Sequence, residues 1–460
     1  MDENKNSFKD QIITKSYNFQ YQSGKNHYQL RSVSKEEFDL FVKKHSYTDM
    51  CQLSSWSKVK EPAWTSEHLA LFSGDDFVAS ASLLFRKIPM TPWSLSYIPR
   101  GFLVDYNNDD DLKAIIEAVK FVAKKHRAFE IKIDPNVQRK ESVDVVEKLI
   151  DKGFKHKGFT MGIVDSQPRF SMITNLDRPL EDILNSFDKS AKQGVKRSEK
   201  FGLQFEEYGQ KGLEIFNRIM QETAERDGFN PRNLEYFKKI INSFGREEAG
   251  LYLVSVTKDQ LINIKSKELV DIEKEKKAVE KKKNKFLNNL ENDKLDIDAR
   301  ENIEKKISNL QGEIDKLTTK IEATEQILQD HDLNDGQGSQ KIYLAGAIMV
   351  YCGPIAYYLY AGSSNEYREL YPNYFMQWEL MKLAQQRGCT KYDFGGVSGY
   401  TEKSDLKNDD LAGLYTFKKV FASDLFERIG EFDLIINNSV HKLFYFLMEM
   451  RKKLLQLRKK

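Results

Sequence analysis

The sequence has few cysteines and no metal-ligating pattern built on them. Cys51, Cys352 and Cys389 are far apart, odd in number, and include no CxxC pair. That excludes a disulfide framework or a zinc site as the organising feature and fits a reducing, cytoplasmic setting. An excess of charge of one sign is also missing. Lys and Arg number 72 against 69 Asp and Glu, a formal net charge of +3 over 460 residues. The chain as a whole is not a generic polyanion binder, so any contact with nucleic acid or anionic lipid must use a local basic surface. No Walker loop, GxGxxG, HExxH or GxSxG occurs, so the sites those runs define lack their residues. No cofactor and no metal are expected. The opening run Met1 to Asp10 is polar, and no secretory signal is expected from it.

One uncharged run, Ile342 to Asn365, is long enough to cross a bilayer. Gly353-Pro354 in its middle would break a helix. Its flanks carry Ile342, Tyr343, Ile348, Val350 and Tyr351, then Ile355, Tyr357, Tyr358 and Tyr360, which are strand formers. The expectation is a buried β-hairpin.

The first half reads strand, turn, strand, helix, strand. Gly74-Asp75-Asp76 is a turn before the strand Phe77–Ile88, and Ser94–Val104 is a further strand. Asp111–Arg127 has helical spacing with Ile115, Val119 and Val122 on one face, and Phe129–Ile133 is a short strand. The second half repeats the order with strands Ile342–Tyr351 and Ile355–Ala361, helix Pro372–Arg387, and strand Thr390–Phe394 ending at Gly395-Gly396. Two units of one order imply an internal duplication. The expected fold class is α/β (α+β): two acetyltransferase-like units, 1–165 and 166–425, with an inserted arm at 262–332.

The arm is read from spacing. Ile303, Ile307, Leu310, Ile314, Leu317 and Ile321 follow a 4-3 repeat, continued by Thr324 and Leu328. Ile272, Val279, Phe286 and Leu290 form a weaker seam with Lys276 and Lys283 between. Asn292–Arg300 supplies polar turn residues. Two antiparallel helices of a coiled coil, roughly 45 Å long at 1.5 Å per residue, are expected. Dimerisation and partner binding both remain open for such an arm. The last twenty residues hold seven Lys or Arg and one Glu, with Leu443, Leu447, Met450, Leu454 and Leu457 on one helical face. The segment 426–460 is expected to give a strand and a basic amphipathic helix returning to the first unit. Its first half, around Phe444, docks on the protein, and its lysine-rich end is solvated or held near anionic lipid.

Six runs carry the chemistry: Trp56-Ser57-Lys58-Val59-Lys60; Tyr97-Ile98-Pro99-Arg100-Gly101 leading to Asp105; Arg226-Asp227-Gly228-Phe229 leading to Arg232 and Tyr236; Tyr367-Arg368-Glu369-Leu370-Tyr371-Pro372; Tyr392-Asp393-Phe394-Gly395-Gly396; and Gly413-Leu414-Tyr415-Thr416-Phe417-Lys418. Each alone is weak. In this order, with a helical insertion between the third and fourth, they resemble the Fem family of tRNA-dependent peptidyl transferases over almost the whole chain.

The resemblance implies a peptidoglycan precursor bound in a groove beside or between the two units. It also implies an arm similar to that of seryl-tRNA synthetase that meets tRNA. The implied reaction moves an amino acid of the glycine, alanine or serine class from aminoacyl-tRNA to the stem-peptide amine of a lipid-linked or nucleotide-linked muropeptide. The arm places the chain nearer the lipid-linked class. Lys418 matches the position that stabilises the developing negative charge or holds the tRNA end, and Phe417 precedes it. Lys60 and Arg232 match contacts to the precursor's pyrophosphate, for which two cations are suited. Tyr236, four residues after Arg232, would share a helix face with it. Asp105 matches an aspartate near the attacking amine, as base, positioner or structural residue. Tyr367 faces substrate, or its run caps the following helix through Pro372. Phe102 stands where the family commonly has proline, and Ser190-Ala191-Lys192 where it commonly has Lys-x-Arg. Peripheral contact with the cytoplasmic membrane face and self-association are further expected partners. The alternatives are a CoA-dependent N-acyltransferase and a non-catalytic, coiled-coil tRNA-binding or scaffold protein. The first lacks the xxGxG/A run that grips the CoA pyrophosphate at a helix N-terminus. The second leaves Phe417-Lys418 and Tyr392–Gly396 unexplained.

Overall fold

In the computed structural model of the chain, the described residues are 11–15, 17–141, 143–162, 166–290, 297–330, 338, 340–400 and 412–457. The first part runs β1 (Gln20–Ser23), β2 (Asn26–Leu30), α1 (Lys35–Lys44), α2 (Ser54–Lys60), β3 (Thr65–Ser73), β4 (Asp76–Lys87), β5 (Ser94–Ile98), α3 (Asp109–Lys125), β6 (Ala128–Ile133), α4 (Val143–Asp151) and β7 (Lys155–His156). Then come β8 (Phe170–Asn175), α5 (Leu180–Ser186), α6 (Lys189–Lys200), β9 (Gln204–Glu207), α7 (Leu213–Asp227), α8 (Leu234–Glu248) and β10 (Ala249–Thr257). The helices α9 (Lys258–Leu290) and α10 (Ile297–Leu328) follow, and after them β11 (Lys341–Cys352), β12 (Ile355–Ser363) and α11 (Pro372–Gln386). Last are β13 (Lys391–Val397), α12 (Ala412–Lys419), β14 (Asp424–Glu427), β15 (Phe432–Ile435) and α13 (Asn438–Leu457).

The strands form two sheets, β1-β2-β3-β4-β5-β6-β15-β7 and β9-β10-β11-β12-β13-β8-β14. From β2 and from β9 onward they match position by position. In each, an antiparallel run ends in a parallel pair, β5 with β6 and β12 with β13, joined across a helix, α3 or α11. The next strand is exchanged along the chain. β15 returns from the far end of the sequence to pair with β6 and β7, while β8, just after the first unit, pairs with β13 and β14. The chain thus holds two units of like sheet order, and β15, from the segment after residue 425, lies in the first sheet. β14 straddles residue 426 and belongs to the second sheet. The boundary expected at 165 lies outside the described residues.

Three apolar cores result. One lies under α3 and the first sheet, with Leu83, Ile115 and Phe432. One lies under α11 and the second sheet, with Met349, Trp378 and Phe394. The third is shared: Phe38, Leu53 and Trp56 of the first unit pack with Phe216, Phe237 and Ile348 of the second. A continuous apolar seam of this kind fixes one unit on the other. The uncharged run is the hairpin β11–β12, paired antiparallel. Gly353 turns it at φ +53, and a Cβ there would collide with the Lys43 carbonyl of α1, so the turn also fits against the first unit.

The strand expected over Ser94–Val104 stops at Ile98. Pro99 has no N–H to donate, and Arg100 adopts a left-handed φ of 63°. A single bridge, Ser80 to Leu103, resumes the pairing. The strand expected to end before Gly395-Gly396 instead runs through them as a bulge between Asp393 and Gly396.

The inserted helices leave β10 and return to β11, which are hydrogen-bonded neighbours out to Thr257 and Lys341. They run antiparallel: Lys283 reaches Gln311, and Lys306 lies over the Phe286 ring at 5.6 Å. Leu310, Ile314, Leu317 and Thr324 of the 4-3 repeat are buried, as is Ile272 opposite. At the root, the buried Lys265 ammonium binds Glu268 at 2.9 Å and Glu369 at 2.7 Å. No helix among the described residues is long and apolar enough to cross a membrane.

Candidate active site

The second sheet positions Lys418. Residues 412–419 form α12, and the Lys418 side chain is turned inward, only 5% exposed. Its ammonium donates to the Gly396 carbonyl at 2.8 Å. The bulge in β13 presents that carbonyl. Asp393 Oδ1 accepts the Gly395 N–H at 2.7 Å, and Gly395 takes φ +80, which L residues rarely adopt. Burial pulls the Lys418 ammonium down to about 8, against the pull of the Asp393 carboxylate. Phe417 packs edge-on against Tyr374 at 6.0 Å and Phe421 at 5.2 Å, which holds the C-terminal turn of α12.

Asp393 is itself buried, and burial raises its carboxyl. Its counter-charge is Arg428, at 3.9 Å. The Arg428 guanidinium also donates to Asn136 at 2.8 Å and to Ser171 at 3.1 Å, so it ties the two units together. Burial and the nearby Arg100 bring Arg428 down to about 10. The first unit holds a similar pair. Arg100 meets Asp134 at 3.2 Å and Asp49 at 3.6 Å, while the Tyr97 hydroxyl and the Arg100 N–H also donate to Asp134. Burial pushes Asp134 up, to about 6, despite those bonds. Beside the Arg428–Asp393 pair lies a cavity of about 160 Å³ lined also by Thr48, Asn136 and Tyr357. The buried Tyr357 hydroxyl has no hydrogen-bond partner among the described residues.

A second cluster forms where α2 meets α8. Lys60, at the end of α2, lies over the Trp56 ring at 4.0 Å. Burial, and then the Arg232 charge, lower its ammonium. The Arg232 guanidinium stacks over Tyr236 at 5.0 Å, and Tyr236 meets Tyr360 edge-on at 6.0 Å. Arg232 does not share a helix with Tyr236 as expected. It precedes the Asn233 cap of α8, because Pro231 and the cap's extended backbone start the helix only at Leu234. The pair meets all the same. Neither Lys60 nor Arg232 is ion-paired among the described residues. Two cations, one from each unit, thus act on each other's charge where α2 meets α8.

The other expected residues lie elsewhere. Asp105 is exposed in the turn before α3, accepts the Asn107 N–H at 2.9 Å and faces His45 and Asp111. These neighbours belong to the first unit, and those of Lys418 to the second. Tyr367 sits at the root of the inserted helices in a left-handed conformation, near Asp330 and Lys265. It lines a cavity of about 800 Å³ with Arg218, Lys258 and Tyr343. Pro372 does start α11, but Tyr371 caps it without a side-chain bond. Sequence reasoning passed over Asp393 and Arg428. Asp393 stood inside the Tyr392–Gly396 run, read there for its glycines. Arg428 had no local signal, since its partners are remote in sequence.

Two units of one sheet order, packed on a shared apolar core and tied by Arg428, hold a buried lysine beside a strand bulge, a frame shared with an acyl-transferring enzyme. The FemAB family profile matches residues 33–453, and the chain belongs to that family. It is 35% identical over 415 residues to the Lipid II:glycine glycyltransferase of Staphylococcus aureus, covering 89% of this chain and 94% of that one. The crystal structure of FemX superposes with a TM-score of 0.72 at 35% identity, over 90% of this chain and 99% of the other.

Proposed function

We propose that this enzyme transfers a small aminoacyl group, glycine foremost, from aminoacyl-tRNA to the stem-peptide amine of a lipid-linked peptidoglycan precursor. Glycine and the lipid-linked acceptor follow the staphylococcal relative's name. The observation that carries the chemistry is the buried Lys418 ammonium, held by one carbonyl in the interior of an acyltransferase.

The donor is an activated ester and the acceptor an amine, so no covalent enzyme intermediate is needed. The neutral amine attacks the ester carbonyl, and negative charge grows on the carbonyl oxygen. Lys418 as an ammonium supplies the positive partner in a desolvated site, where such a charge counts most. The ester C–O bond then breaks, and the proton lost by the attacking nitrogen ends on the departing ribose oxygen, which leaves as the hydroxyl. Lys60 and Arg232 bind the precursor's pyrophosphate, and Tyr236 orients Arg232. The inserted helices, with the exposed Lys281, Lys282 and Lys305 outside their seam, contact tRNA phosphates.

The test offers glycyl-, alanyl- and seryl-tRNA, and separately acetyl-CoA, with lipid-linked and nucleotide-linked acceptors. Transfer from glycyl-tRNA to the lipid-linked acceptor is the expected result. Transfer from acetyl-CoA without tRNA would refute the reading.

A further inference from the structure

The helix α13 changes character along its length. His441, Phe444 and Tyr445 hold it to the first sheet: Phe444 meets Phe129 at 5.0 Å, and Tyr445 and His441 reach Glu130 at 2.8 and 3.4 Å. From Phe446 to Leu455 every residue is exposed. That half-helix is not polar. Phe446, Leu447, Met450 and Leu454 are 45–59% exposed, and Leu443 just before them is 58% exposed. At about 100° per residue these five fall within an arc of roughly 100°, turned away from the docking residues. Lys442 and Lys453 border one edge of the arc; Arg451 lies at the other, with Met448 and Leu455, also exposed, beyond it.

We infer that this face of α13 lies in the surface of an anionic membrane. An exposed apolar stripe edged by cations on both sides matches a lipid interface, where the stripe enters the acyl boundary and the long basic side chains reach up to phosphates. A second copy is a poorer occupant. A symmetric contact would set Lys442, Arg451 and Lys453 against their own copies, with Glu449 the one acid on the exposed half. The inference gives the proposed lipid-linked acceptor a docked enzyme, but binding is measurable without transfer.

The full chain is sedimented with vesicles of phosphatidylcholine alone or with a third phosphatidylglycerol. Binding to the anionic vesicles, falling as salt rises, is expected. Leu447→Glu with Leu454→Glu should weaken it at least about tenfold with an unchanged melting temperature, since both sites are exposed. Lys442→Glu, Arg451→Glu and Lys453→Glu together should remove the preference for anionic lipid. Transfer to a detergent-dispersed or nucleotide-linked acceptor should be the same in all variants, so loss of transfer in the wild-type enzyme would count against the proposed reaction alone. Failure of the wild-type chain to sediment with anionic vesicles would overturn the inference. So would unchanged binding by the double variant, including the case in which that variant converts a dimer to a monomer in light scattering.

Discussion

The two units share a sheet order and differ at two matching places. In the first, β3 and β4 are joined by the tight turn Gly74-Asp75. In the second, residues 258–340 stand between the corresponding strands β10 and β11, most of them in α9 and α10. Each unit also buries an arginine–aspartate pair near the end of its parallel strands. Arg100–Asp134 is the closer pair, at 3.2 Å; Asp49 and the Pro168 carbonyl also face its cation, and the Tyr97 hydroxyl and the Arg100 N–H donate to its carboxylate. Arg428–Asp393 is looser, and its carboxylate also faces Lys418. The first pair stands apart from Lys418, and the second lies beside it. On the proposed reading, the first pair serves stability and the second serves the Lys418 charge.

That contrast can be broken in several ways. The largest effect should come from Lys418→Met, which removes the positive partner of the developing oxyanion. Turnover should fall at least about a hundredfold with the melting temperature preserved, as read by single-turnover transfer and calorimetry. Next is Asp134→Asn. It leaves the buried Arg100 with Asp49 alone, and denaturant unfolding should show a loss of about 3 kcal/mol, the low end for a broken buried pair. Asp393→Asn should cost less stability, because its ion pair is looser. A larger loss from Asp393→Asn than from Asp134→Asn would dissolve the contrast.

The insertion offers a third probe. Replacing residues 266–330 with a short Gly/Ser turn keeps the Lys265 root and should leave both sheets folded by circular dichroism. Use of full-length aminoacyl-tRNA should weaken at least about tenfold at low salt, and its salt dependence should flatten. A minimal aminoacylated acceptor stem should be used almost as before, and equal effects on both donors would argue for a role in self-association. Smaller still, Lys60→Met or Arg232→Met should raise the acceptor's KM about tenfold with kcat nearly unchanged. A fall in kcat at constant KM would remove these two residues from the acceptor site.

Much of this was legible in the chain. The 4-3 repeat marked the inserted helices because their seam is self-contained, and Ile342–Asn365 could be told from a membrane span by Gly353-Pro354. The Phe417-Lys418 run marked the lysine through family resemblance. Other features depend on partners far apart in sequence. Asp393 meets Arg428 only because β14 pairs with β8, the neighbour of β13, and brings the following residues to the seam. The Asp105 position looked like the end of a long strand, but Pro99 and the left-handed Arg100 end pairing at Ile98 and leave Asp105 in a solvent-exposed turn. Tyr367 belongs to the root of the inserted helices, a place set by the β10–β11 pairing and invisible to local pattern.

The most direct test of the account is the pH dependence of kcat/KM for transfer, in the wild-type enzyme and in Asp393→Asn. On the proposed reading Lys418 acts as a cation, and it sits at about 8, so the rise of activity with pH as the acceptor amine loses its proton should break as pH passes about 8, where the alkaline limb begins. The Asp393 carboxylate favours the charged lysine. Its neutralisation should therefore lower the lysine further and move the alkaline limb to lower pH, while Lys418→Arg should move that limb upward out of range. An alkaline limb at the same pH in all three proteins would contradict the claim that the Lys418 charge drives the reaction.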